Sequence, residues 1–196
     1  DTRKEHLGKI VTNKIINEAL NDEINKRSVL IKIIDDSERI PELKENCVEF
    51  IDNKGKSHTA SLLFYTSSKK NNKIINNFNF VGKELNQEAL SVTVNITRKQ
   101  RNIAYQLFTT DGPIALLPIN DENASIVWSL KKNSDYLKIE KEELEIVLRN
   151  FFVNHLSDLK ISEIQNYELN FSYAKKLFHK NCILIGNIAH NIHPIA

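Results

Sequence analysis

Apolar and polar positions alternate along this chain with two different periods, and the change of period divides it. Near the N-terminus Ile15, Ile16, Ala19 and Leu20 recur at helical spacing behind Thr12 or Asn13, either of which suits an N-cap, and they predict a short helix ending near Leu20. Residues 29–34 form a continuous apolar run, expected as a buried strand. Residues 47–52 and 58–65 flank Asn53-Lys-Gly-Lys56, a hairpin turn signal. From about Leu90 the period becomes two. Val92, Val94 and Ile96 share one face of a strand, and Ile103, Tyr105 and Leu107 share one face of the next. Gly112-Pro113 reads as a turn before the apolar run 114–119, and Asp121-Glu-Asn123 as a second turn before the alternating Ile126, Trp128 and Leu130. Residues 140–156 predict an amphipathic helix with Leu144, Val147, Leu148, Phe151 and His155 on one side. Tyr167, Leu169, Phe171 and Tyr173 mark a further strand, and Cys182 to Ile185 a short buried one. The fold class expected is mixed α/β and α+β: an α/β portion interrupted by a twisted antiparallel sheet with a covering helix.

Composition narrows the function classes. At 196 residues the chain suits one globular domain or two small ones. A net charge of +2 is too small an excess to imply nucleic acid or an anionic membrane surface, and the Lys69-Lys70-Asn-Asn-Lys73 cluster reads as a solvated loop. Two distant cysteines, Cys47 and Cys182, indicate a reducing compartment rather than a disulfide framework. No apolar run is long enough to cross a bilayer. The chain lacks Met, so it is expected to be a processed, subcloned or excised piece. Its five glycines never cluster, so it contains neither a G-x-G-x-x-G fingerprint nor a P-loop.

The chemistry-bearing stretch is the last one. After the apolar run ending at Ile185, Gly186-Asn187 breaks the strand, and a turn with His190, His193 and Pro194 follows. A strand running into Gly and a small polar side chain is how α/β proteins bring backbone close to a nucleotide cofactor. Taken alone, those two residues fit an ordinary strand-ending turn better than a cofactor site. His179-x-x-Cys182 and His190-x-x-His193 have the spacing of zinc-ligand pairs, but a cysteine opening an apolar strand is by default a buried inert thiol. Trp128, Phe151 and Phe152 read as core, His155 as a half-buried packing residue, and Tyr105 and Tyr173 as core, surface or pocket lining.

Three ordered segments carry a resemblance: Gly112-Pro-Ile-Ala-Leu-Leu-Pro-Ile119, Ser125-Ile-Val-Trp-Ser129 and Leu184-Ile-Gly-Asn-Ile-Ala-His-Asn-Ile-His-Pro-Ile-Ala196. With Leu7-Gly-Lys-Ile-Val-Thr-Asn-Lys-Ile-Ile-Asn-Glu-Ala-Leu20 in front, the chain resembles an internal fragment of the ubiquinone-biosynthesis hydroxylases. These polyprenylphenol hydroxylases are a branch of the FAD-dependent aromatic-ring monooxygenases. The resemblance implies a para-hydroxybenzoate-hydroxylase-like fold, with residues 12–78 and 176–196 in a partial FAD-binding domain and residues 85–175 in a substrate-binding sheet domain. It implies FAD as cofactor, NAD(P)H as reductant, O2 as oxidant and a polyprenylated phenol as substrate. The cofactor carries the difficult chemistry, which leaves no need for a catalytic triad.

Residue by residue, the resemblance puts Gly186 against the ribityl-pyrophosphate and Asn187, where many relatives have Asp, on the ribityl hydroxyls. Ala189 and His190 continue the motif, and Pro194 lies beside the isoalloxazine ring. The family's Gly-Gln-Gly does not follow Ala196, and Thr66-Ser67-Ser68-Lys69 stands where an Ala-Asp-Gly motif holds FAD and the nicotinamide cofactor. The chain alone is therefore expected to be inactive, and a non-catalytic remnant or accessory subunit that has lost flavin binding is the competing expectation. The polyprenyl substrate further implies a cytoplasmic protein at the membrane surface, in contact with other enzymes of the pathway.

Overall fold

The structure is a computed structural model, and it describes residues 8–27, 40–66, 73–96, 103–156 and 158–192. The chain forms two compact units. One comprises residues 1–28 and 86–169 with residue 196, the other residues 29–85 and 170–195. In chain order the regular elements are α1 (Asn13–Lys26), β1 (Glu42–Leu43), β2 (Val48–Ile51), β3 (Ser57–Ala60), β4 (Leu63–Tyr65), β5 (Phe80–Ile96), β6 (Tyr105–Thr109), β7 (Gly112–Pro118), β8 (Asn123–Lys131), α2 (Lys141–Phe151), β9 (Leu159–Ala174), β10 (Phe178–His179), β11 (Cys182–Leu184) and β12 (His190–Asn191). The expected strand at residues 29–34 lies outside the described residues.

Strands β9, β5, β8, β7 and β6 follow β12 in a six-stranded antiparallel sheet of order β12-β9-β5-β8-β7-β6, and in the first unit α2 covers one face of it. Period-two alternation does what it predicts. Val92 and Val94, Ile114 and Leu116, and Ile126, Trp128 and Leu130 all point into one core, where Leu144, Leu148 and Phe152 meet them. Each such aliphatic side chain contributes about 1.5–3 kcal/mol by leaving water. Trp128 packs edge-on against Phe151 at 5.1 Å and tilted against Tyr136 at 4.5 Å. Its indole Nε1 has no hydrogen-bond partner among the described residues, a cost of about 1–3 kcal/mol that burial of the ring offsets. Two side chains of α2 tie it to β9. The Arg149 guanidinium donates to the Leu159 carbonyl at 2.8 Å and pairs with Asp158 at 2.9 Å, and Glu145 accepts the Ile161 amide at 2.8 Å.

Helix α1 runs past the expected end at Leu20 to Lys26, because Ile24 continues the apolar spacing and Arg27 pairs with Glu23 at 2.9 Å. Thr12 occupies the N-cap position without a side-chain cap bond, and the helix buries none of its residues.

Gly112-Pro113 is not a turn. The turn is Thr110-Asp111, and both Gly112 and Pro113 belong to β7, paired with Thr109 and Phe108. Pro113 has no N–H to donate, and the β7–β8 ladder accordingly begins one residue later, at Ile114↔Trp128. Gly112, at φ +135°, lets the backbone pass the Ser129 carbonyl; a Cβ there would sit 1.9 Å from that oxygen.

In the second unit β1, β2 and β3 form an antiparallel meander, and β10, β11 and β4 a second small sheet in which β11 and β4 run parallel. The expected strand 58–65 is thus two strands, β3 and β4, in different sheets. The β2–β3 turn forms where expected, and Asp52 organises it. One carboxylate oxygen accepts the amides of Lys54 and Lys56, both at 2.9 Å, and the other lies 2.9 Å from Nε2 of His58. The His58 hydrogen bond, then the Lys56 amide, hold the Asp52 carboxyl below the usual carboxylate value.

Gly112→Ala should destabilise the first unit by about 3 kcal/mol, since the new methyl meets backbone rather than a movable side chain; chemical denaturation checks this. For Asp52 the depressed folded pKa makes its contribution fully present above ~pH 4 and lost as pH falls through the lower folded value. Hydrogen exchange at Lys54 and Lys56 should accelerate across that acid range beyond the intrinsic rate, and Asp52→Asn should abolish this pH dependence.

Candidate functional site

The parallel pair β4–β11 builds the site. Leu63, Phe64 and Tyr65 lie opposite Cys182, Ile183 and Leu184. The ladder continues at both ends, with the Leu63 amide donating to Asn181 O at 2.8 Å and the Ile185 amide to Tyr65 O at 3.1 Å. Cys182 and Leu184 face a second core made with Ile74, Ile75, Phe78, Ala174, Ile188 and Ala189. At the end of β11, Gly186 takes φ +72°, a left-handed conformation that side chains with a Cβ disfavour. A single 3-10 turn over Gly186–Ile188 follows, closed by the Ala189 amide on Gly186 O at 3.0 Å. The first amides of such a turn have no carbonyl within it to bond, so they are available to an external acceptor.

Two anchors fix the turn. Ile188 and Ala189 are buried in the second core, and the Ala189 carbonyl accepts the Ala174 amide at 2.9 Å. Strand β12 then pairs with the end of β9, His190 opposite Tyr173 and Asn191 opposite Ser172. Gly186, Asn187 and His190 are exposed, whereas the Ala189 side chain packs inward. Among the described residues no atom lies within 4 Å of where a Gly186 Cβ would stand, so none of them fills the space in front of this glycine. Pro194 and His193 lie outside the described residues, as do Ser67, Ser68 and Lys69.

Beside the turn is a cavity of ≈380 Å³. Ile75, Phe80 and Ile188 give it apolar walls, Ser172, Asn187 and Asn191 give it polar groups, and Gly82 completes the lining. A Cβ on Gly82 would come within 2.9 Å of the Phe171 carbonyl, so β5 and β9 approach closely there. Among the described residues no lining side chain is ionisable. About 150 Å³ accommodates a benzene ring, and small-molecule sites begin near ~300 Å³. The cavity therefore has room for a neutral ring system but not for a whole dinucleotide. A left-handed glycine, a short turn and a cavity whose described lining is neutral together suit an uncharged ring with a polar extension.

Sequence reasoning singled out Asn187 but missed Ser172, Gly82, Phe80 and Asn191. Asn191 sits within the closing motif, and its polar side chain was a signal; the others arrive through strand register, which the sequence does not display. Tyr105 does not line the cavity. It stacks on His155 at 3.8 Å beside the first core. Tyr173 is partly exposed next to Phe171, ring centroids 5.8 Å apart. His179 and Cys182 are cross-strand neighbours, and burial pushes the Cys182 thiol pKa up. Among the described residues no group of three or more His, Cys, Asp or Glu converges as a metal site would require. A wider cleft of ≈470 Å³ in the first unit is lined by Asp111, Lys131, Asp135 and Glu143 among others. Its mixed charges and lack of any motif residue make it the weaker candidate.

No protein-family model matches the chain. In sequence it is similar to ubiquinone hydroxylase UbiL of Rhodospirillum rubrum, 28% identical over 113 residues, covering 56% of this chain and 26% of that protein. It is similar to the mitochondrial ubiquinone biosynthesis monooxygenase COQ6 of Rattus norvegicus, 26% identical over 153 residues, covering 59% and 32%. Ubiquinone hydroxylase UbiM of Neisseria meningitidis matches at 24% over 197 residues, covering 96% of this chain and 42% of that protein. The chain thus spans less than half the length of these relatives. Among solved structures it is similar to the flavin-dependent halogenase CmlS, with a TM-score of 0.62 and 13% identity, covering 94% of this chain and 36% of that one. The flavin-dependent monooxygenase PieE, solved with FAD and substrate, gives a TM-score of 0.53 at 12% identity, covering 79% and 29%. The resemblance to ubiquinone-biosynthesis hydroxylases holds in sequence, and the mixed, sheet-rich α/β fold is that of flavin-dependent monooxygenases and halogenases.

Gly186→Ala should cost about 1–2 kcal/mol through its backbone alone, since nothing crowds the new methyl. Gly186→Val should cost more, and Gly186→Asn less, because Asn tolerates the left-handed region; thermal denaturation of the three variants checks the order.

Proposed function

We propose that this chain forms part of an FAD-dependent aromatic-ring hydroxylase that acts on a polyprenylated phenol in ubiquinone biosynthesis, with NAD(P)H as reductant. The observation that carries the reading is the parallel strand that ends in a left-handed Gly186 and a short turn beside an uncharged cavity. The names of its relatives supply the substrate class. On this reading residues 12–78 and 176–196 serve the FAD side and residues 85–175 the substrate side.

A bound flavin would supply the redox chemistry. The chain's own residues bind and orient. Gly186 lets backbone approach the ribityl-pyrophosphate without a side chain intervening, and the turn amides can donate to its oxygens. The Asn187 amide can donate and accept at ribityl hydroxyls without adding charge, and His190 and Pro194 complete the motif. Ala189 holds the turn by packing inward. Within the cavity Ile75, Phe80 and Ile188 exclude water from a ring, while Ser172 and Asn191 can hydrogen-bond its polar substituents.

Among the described residues no helix is long and apolar enough to cross a membrane. A polyprenylated substrate nevertheless favours work at the membrane surface of the cytoplasm, with other pathway enzymes as partners. A second reading, a non-catalytic remnant or accessory subunit, is favoured by Thr66-Ser67-Ser68 in place of Ala-Asp-Gly.

Titration with FAD of the chain extended by the N-terminal dinucleotide-binding segment of its relatives, followed by flavin fluorescence, separates the two readings. The hydroxylase reading expects saturable binding that Asn187→Ala weakens about 10-fold, the loss of roughly one hydrogen bond. Absence of saturable binding up to ~0.1 mM FAD would leave only the non-catalytic reading.

A further inference from the structure

We propose that β6 is a dimerisation edge, on which a second copy of this chain adds its own β6 antiparallel about a two-fold axis at Leu107. Strand β6 ends the sheet order of the first unit. Its pairing with β7 fixes which backbone groups face outward. Phe108 lies opposite Pro113, which has no N–H, so this pair cannot exchange two hydrogen bonds. Antiparallel pairs alternate, so the exchanging pairs are the flanking Leu107↔Ile114 and Thr109↔Gly112. The N–H and C=O of Gln106 and Phe108 consequently point away from β7, to the open edge.

Native sheet edges are usually guarded by charge, proline, a bulge or a covering segment. Residues 103–110, Ile-Ala-Tyr-Gln-Leu-Phe-Thr-Thr, contain neither charge nor proline. Nothing among the described residues hydrogen-bonds to the outward groups of Gln106 and Phe108. Phe108 is 81% exposed. On the opposite side of the sheet, the part of β9 that β12 does not pair contrasts with it by carrying Lys160, Glu163 and Glu168.

The same pattern selects the occupant. Antiparallel pairing of β6 with itself places Gln106 of one copy opposite Phe108 of the other, twice, and these are the residues with outward-facing groups. Four backbone bonds close with no like charges brought together. A two-fold contact of this kind is self-complementary by symmetry and ends at the dimer. An unrelated strand would need its own uncharged face in matching register. A five-residue strand pair buries little surface compared with a permanent dimer interface, so the association is concentration-dependent.

Sedimentation velocity on the full chain across a range of concentrations tests the proposal. The wild-type protein should shift from monomer to dimer as concentration rises. Phe108→Pro removes an outward N–H and leaves the β6–β7 ladder bonds in place, so it should weaken association at least ~10-fold with circular dichroism unchanged. Phe108→Lys, at an exposed position, should do the same by placing an ammonium group on each side of the axis, and it serves if the proline variant folds poorly. In the wild-type protein, amide exchange at Gln106 and Phe108 should slow with rising concentration. A chain that stays monomeric up to ~0.5 mM, or a dimer that neither substitution weakens, overturns the proposal.

Discussion

The second unit depends on one pairing: β4 laid parallel to β11. Asn181 reaches the Ser61 carbonyl across 120 positions of sequence, and the two strands align from there. Parallel strands cannot be joined by a tight turn, so everything between them must leave and return before the ladder can close. That detour contains the whole antiparallel sheet with its covering helix. The parallel pair aims the end of β11 outward with its inner side chains already committed to a core, and Gly186 follows where no further pairing constrains the backbone. Closing so long a loop is entropically costly. The cost is met locally by Cys182 and Leu184 in the second core and by the anchors at Ile188 and Ala189.

Much of this architecture was legible in the sequence because alternation reports burial directly. Val92 and Val94, Ile126 and Trp128, and the stripe of α2 all face the core their spacing implies. The failures share a cause, which is that pairing partners are invisible in one dimension. Strand β5 begins ten residues before its apolar alternation, through Lys83 and Glu84, because it runs beside β9 there rather than because its side chains want a core. Residues 58–65 look like one strand and are two, since Ala60 pairs back to Val48 while Leu63 pairs forward to Cys182. Gly112-Pro113 has the composition of a turn, yet proline is tolerated in β7 because its nitrogen falls where β6 asks for no bond.

The candidate site divides the same way. Gly186 and Asn187 stood out because a glycine and a small polar residue end an apolar run there, and the left-handed conformation of Gly186 became visible only in the structure. The cavity could not, because Gly82, Ser172 and Asn187 come from three separated segments that only register brings together. Its neutrality sharpens what an Asn at position 187 means. With no ionisable group among the described lining residues, a carboxylate there would add a charge to a neutral wall, and the amide keeps both donor and acceptor capacity without it.

The lone tryptophan lies fully buried in one core, and the thiol of Cys182 lies fully buried in the other. Indole emission therefore reports on the first unit alone, while Cys182, its thiolate suppressed by burial, stays silent to thiol reagents until the second unit opens. The molecule thus carries a built-in optical gauge for one half and a chemical gauge for the other. Opening of the first half can be followed by its own fluorescence, and opening of the second by the delayed reaction of Cys182 relative to the half-buried Cys47.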